Sequence, residues 1–118
     1  MKLYVKASKK SNLELLKSFV GKDEWVLVNN INFYSGKVIQ RALIKINRIR
    51  GSVWCNIIPL DFNYKNNYDS VLSYIVDHEV SIDKALSHEV TALKDCVQVV
   101  EPVESYTTAQ LREAIDNG

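Results

Sequence analysis

Apolar and polar positions change their period several times along this chain, and each change predicts an element. In "KLYVKA" (residues 2–7) Leu3 and Val5 alternate with Tyr4, which predicts an opening strand. In "SNLELLKSFVG" Leu13, Leu16 and Val20 share one helical stripe, Ser11 and Glu14 have capping-box spacing, and Gly21 suits a left-handed helix end. "EWVLVNN" predicts the next strand and Ser35-Gly36 a turn. Two long alternating runs follow, "KVIQRALIKINRI" and "SVWCNIIPL", meeting at Arg50-Gly51. Pairing Ile46 with Cys55 and Ile44 with Ile57 matches apolar to apolar. A two-residue turn in that register would place Arg50 at positive φ, so a four-residue loop, Ile49 to Ser52, is expected instead.

After Pro59 the polar stretch "DFNYKNN" separates the hairpin from a helical pattern in "YDSVLSYIVDHE", where Tyr68, Leu72 and Ile75 recur at helical spacing. From Ser81, the stripe Ile82, Ala85, Leu86, Val90 and Leu93 predicts a further helix reaching Leu93. "DCVQVVEPVE" reads as a last strand, with Pro102 at an edge or strand end. In "YTTAQLREAIDNG" Thr107 and Gln110 form a second capping box, and Tyr106 with Leu111 a hydrophobic staple. The expectation is one α+β domain over residues 1–118. Its antiparallel sheet should curl, in an SH3-like or partly barrel-like way, around the central hairpin under three or four short helices.

Composition adds limits. With 47% hydrophobic and 25% charged residues in 118, the chain has globular composition and can bury a core without staples. Fifteen basic residues against fourteen acidic leave a net charge of +1, which argues against a strongly basic nucleic-acid binder and against an acidic DNA mimic. No apolar run could span a bilayer, and "MKLYVKASKKS" interleaves its charges unlike a signal peptide. The cytoplasm is therefore the expected location, with Cys55 and Cys96 as free, core-filling thiols.

Both histidines lie in "DHEVSIDKALSHEV", where "HEV" occurs twice, ten residues apart. The zincin pattern fails, because the position four after His78 is Ile82. On one continuous helix the two imidazoles would stand about 15 Å apart, too far to share an ion. A zinc site would need the chain to reverse near Val80-Ser81 and add a carboxylate, such as Asp77 or Glu89, with or without Cys96. The simpler expectation puts His78-Glu79 at one helix end and His88-Glu89 on the polar side of the next. No glycine-rich phosphate loop, nucleophile elbow or paired-cysteine motif appears. Asp61, Asp69, Asp77, Asp83 and Asp95 stand singly, and no thiol is set beside a base, so no enzyme and no cofactor are expected.

The hairpin carries the other candidate. In the expected register Arg41, Lys45 and Asn47 lie opposite Ala42, Ile44 and Ile46, sharing a face with Trp54 and Asn56 and lying near Lys37, Arg48 and Arg50. Cations around an indole suit single-stranded nucleic acid and suit an acidic protein surface equally. Leu43 and Ile58 on that face favour either a purely structural reading, with Trp54 covered by a helix and the cations only solvated, or a protein partner. The candidate contacts are Arg41, Leu43, Lys45, Trp54 and Ile58.

Three segments also resemble a known group: "MKLYVKAS", "FVGKDEWVLV" and "VVEPVESYTTAQL". They are similar to short proteins carried by phages, plasmids and conjugative elements of Gram-positive bacteria. These share an opening Y-V-K-A-S strand, a G-K-D-x-W-V strand and a closing E-P-(I/V)-E before T-T-x-x-L. Here the matching positions are Tyr4 to Ser8, Gly21 to Val26, and Glu101 to Leu111. The resemblance implies a genomic setting, one in which small accessory genes often encode anti-defence proteins, anti-CRISPR inhibitors included, but it transfers no site, because its motifs are caps, strands and turns. The expected function is non-enzymatic binding and inhibition of a host protein such as a CRISPR effector nuclease. The alternatives are a nucleic-acid module using the same face and a zinc-bearing variant with His78 and His88 as ligands. An edge strand ending at Pro102 leaves a dimer open.

Overall fold

The computed structural model describes residues 9–60 and 70–117, and for residues 9–12 and 95 the backbone alone. The expected opening strand, the "DFNYKNN" stretch, Tyr68 and Asp69 lie outside the described residues.

Strands β1 (Trp25–Asn32), β2 (Val38–Arg50) and β3 (Ser52–Pro59) form an antiparallel meander. β4 (Glu89–Leu93) pairs with β3 on one side. On the other, β1 pairs with β5 (Gln98–Val99) and β6 (Ser105–Tyr106). The fold is α+β, as expected, with an antiparallel sheet that curls but does not close. The curl starts at Asn30, whose φ of 56° lies in the left-handed region that Asn tolerates. This residue changes the phase of β1. Val26 and Val28 face one core, and Ile31 and Phe33 face that same core one step out of alternation. β2 shifts phase opposite it, so that Ile39, the partner of Ile31, joins Ala42, Ile44 and Ile46. The redirected chain reaches β4 through a bridge between Phe33 and Ala92.

The expected pairs Ile46–Cys55 and Ile44–Ile57 both form. The expected loop does not: pairing continues to Arg50 and Ser52, and Gly51, at φ 69°, turns the chain. A bulge at Asn47, between Ile46 and Arg48, absorbs the extra residue. Positive φ thus falls on glycine and Arg50 escapes it.

Helix α1 (Lys9–Ser18) begins before Ser11, so the expected cap residue lies inside it. Gly21, at φ 75°, ends the turn that follows and donates its N–H to Ile46 O at 3.0 Å. Leu16 is the helix's buried anchor, flanked by Leu15 and Phe19. Val20 is 38% exposed, because the helix has ended and its periodicity no longer applies.

α2 (Val71–Asp77) is capped by Ser70, whose Oγ accepts from Ser73 N at 3.1 Å. Ser81 caps α3 (Ile82–Leu86) in the same way through Lys84 N. α3 stops well short of Leu93. "EVTAL" is β4 instead, because its alternation buries Val90 and Ala92 while its backbone satisfies the far edge of β3. The stretch expected as one last strand splits into β5 and β6, with Pro102 in the excursion between them. Leu27 spans that gap, accepting from Val100 N at 3.0 Å and donating to Glu104 O at 2.9 Å. α4 (Thr108–Asn117) carries the expected capping box: Gln110 N donates to Thr107 Oγ1 at 3.1 Å and Thr107 N to Gln110 Oε1 at 2.8 Å. Tyr106 and Leu111 pack in one apolar cluster.

The sheet is buried on both faces. On one side Val26, Val28, Ile44, Ile46, Val53 and Cys55 share a core with Leu16 of α1 and with Ile31, Ala92, Val97 and Val99. α2, α3 and α4 cover part of the other, over Trp25, Leu27, Leu43 and Ile58. Each fully buried aliphatic side chain there contributes roughly 1.5–3 kcal/mol of transfer free energy.

Candidate functional site

The second face of the sheet is divided along β2. It carries Arg41, Leu43 and Lys45 and then, past the bulge, Arg48 and Arg50, because paired residues share a face. Leu43 and Ile58, expected as partner contacts, are 0% and 1% exposed beneath the helices. They are core residues, since the helix layer requires an apolar floor. Arg41 lies beyond them, cross-strand from Asn29, with its Nε 3.5 Å from Asn29 Oδ1. The five expected contacts therefore do not form one surface. Lys45 and Trp54 remain on the other, partly open end.

A polar seam separates the two ends. Asn56 is buried, and its Nδ2 lies 3.2, 3.3 and 3.1 Å from the carbonyl oxygens of Ala85, Leu86 and His88. Those groups sit where α3 ends; Ala85 O also faces His88 N at 3.5 Å. The bulged Asn47 donates from Nδ2 to Asn56 Oδ1 at 3.1 Å and to Glu89 Oε2 at 2.8 Å. Lys45 Nζ reaches Asn47 Oδ1 at 3.5 Å. Among the described residues every buried side-chain nitrogen and oxygen has a hydrogen-bond partner.

Beyond the seam Trp54 is half-buried and belongs to neither core cluster. The Arg48 guanidinium carbon stands 4.4 Å from the centroid of its ring, a cation–π contact that fixes a long side chain flat against the sheet. Arg48 also meets Glu89 at 3.5 Å, with the two side chains 51% and 35% exposed. Arg50 is exposed beside them, paired with Ser52. Tyr34, 65% exposed, shares a hydrogen bond between its hydroxyl and Ser52 Oγ. Tyr34, and the place of Glu89 beside the hairpin, were missed in the sequence. Assigning Glu89 to a helix hid the Asn56–Glu89 pairing that brings it here.

The two "HEV" segments have different structures. His78 closes α2, stacked on Tyr74 with ring centroids 3.9 Å apart and Nδ1 3.0 Å from Tyr74 O. Glu79, at φ 48°, then breaks the chain, so a change of direction does occur. His88-Glu89 lies past the end of α3 and opens β4, and is not on a helix as expected. Among the described residues no group of three His, Cys, Asp or Glu side chains could hold a metal ion.

Both cysteines are free thiols. Burial, and secondarily the charge of Glu89, pushes the Cys55 thiol up to about 12, so it keeps its proton at neutral pH. Among the described residues no helix is long and apolar enough to cross a membrane. Comparison with known protein families, with curated proteins and with solved structures finds no match to this chain.

Proposed function

We propose that this chain is a non-catalytic protein of a phage or mobile element that binds and inhibits a protein of its bacterial host, with a CRISPR effector nuclease as the first candidate target. The genomic setting comes from the resemblance of Tyr4 to Ser8, Gly21 to Val26 and Glu101 to Leu111. The observation that carries a binding role is the uncovered end of the sheet, where Arg48 lies on Trp54 with Lys45 and Arg50 beside them. An immobilised indole with ordered cations is the kind of anchor that protein interfaces use, because little side-chain entropy remains to be lost. Net charge of +1 speaks against DNA mimicry, so inhibition would proceed by covering a surface or holding a conformation.

Affinity capture from the host cytoplasm, repeated after nuclease digestion, tests this reading. Retention of one host protein after digestion, followed by loss of that protein's activity on titration, is the expected result. Loss of all captured material on digestion would favour a nucleic-acid module instead.

A further inference from the structure

Resting on the binding role proposed above, we infer that the open end of this sheet face docks an acidic segment of the partner protein, whose carboxylate takes the place of Glu89 on Asn47 and Arg48. The protein already shows the required geometry on itself. One Glu89 oxygen accepts from Asn47 Nδ2 at 2.8 Å and the other lies 3.5 Å from Arg48 Nη2, so two donors from one bulge span one carboxylate. The Arg48 contact is long and half-exposed, and pairs of that kind are worth little in water. Exchange for an external carboxylate therefore costs little, and Glu89 can turn to solvent.

Charge favours the same occupant. Lys45, Arg48 and Arg50 surround Trp54 on this face against the carboxylate of Glu89. Single-stranded nucleic acid fits less well. A base needs an open aromatic face, and Arg48 occupies one face of the indole at 4.4 Å. Among the described residues of this face, Lys45, Arg48 and Arg50 lie at one end, apart from Arg41.

The test is fluorescence anisotropy with a short labelled oligoglutamate peptide and, in parallel, a labelled oligothymidylate at the same ionic strength. Wild-type protein should bind the peptide more tightly than the oligonucleotide. Glu89→Gln, which keeps the Asn47 contact but removes the competing charge, should tighten peptide binding about two- to fivefold. Arg48→Gln should weaken it, with circular dichroism confirming that each variant is folded. Tighter binding of oligothymidylate, or no response to Glu89→Gln, would overturn the inference. A host protein captured with equal efficiency by wild type and E89Q would remove the acidic-segment chemistry and leave the binding role standing. Glu89-sensitive peptide binding with no captured host protein would do the reverse.

Discussion

The indole Nε1 of Trp25 donates to Thr108 Oγ1 at 3.0 Å, joining residues 83 positions apart. The Thr108 hydroxyl in turn donates to Asp23, and Thr108 N lies 3.3 Å from the same carboxylate oxygen. Trp25 pairs with Tyr106 and Val26 with Ser105 across the β1–β6 ladder. The segments "GKDEW" and "ESYTTAQL" are thus one structural unit, in which a carboxylate at the start of β1 caps the last helix.

That unit predicts the cost of removing one hydroxyl. Thr108→Val leaves the fully buried Trp25 ring without its acceptor and should lower unfolding free energy by about 1–3 kcal/mol. Thr108→Ser keeps the hydroxyl and should lose less. Urea denaturation followed by tryptophan fluorescence measures both.

Asn56 should matter for structure rather than for binding. Asn56→Ala removes the donor facing the carbonyls of Ala85, Leu86 and His88, and should destabilise by about 1–3 kcal/mol. Amide exchange should then accelerate first in β4, whose start Asn56 holds, with the β1–β2 ladder less affected.

Alkaline pH should weaken the fold through Cys55. Its thiol is raised from 9.0 to about 12 in the folded chain, so above pH 9 the unfolded state releases a proton that the folded state retains. The stabilisation is complete below pH 9 and is lost as pH rises toward 12. Burial, then the hydrogen bond to Glu104, raises Tyr106 as well and acts in the same sense. Cys55→Ala should therefore flatten, without abolishing, the fall in denaturation midpoint with pH. At neutral pH a thiol reagent should modify the half-buried Cys96 well before Cys55.

Local signals with a complete physical cause were legible in the sequence. The Thr107–Gln110 box and the Ile44–Ile57 pairing each depend on a few neighbouring residues, and each is present. The stripe from Ile82 to Leu93 misled because short apolar runs fit both periods, and the vacant edge of β3 decides for a strand. The bulge at Asn47 could not be read either. It follows from placing positive φ on Gly51, which only the closed hairpin requires. Leu43 and Ile58 looked out of place on a basic face because the helices covering them come from a later part of the chain.

The central claim is that the open end of the sheet around Trp54 is where the partner binds. Nuclease-treated affinity capture with wild type and Trp54→Ala, quantified for the same host protein and with folding checked by thermal denaturation, tests it most directly. Retention by wild type and at least a tenfold loss with Trp54→Ala is the predicted result, about 1.4 kcal/mol or more from one interface anchor. Equal retention by a folded Trp54→Ala protein would contradict the claim.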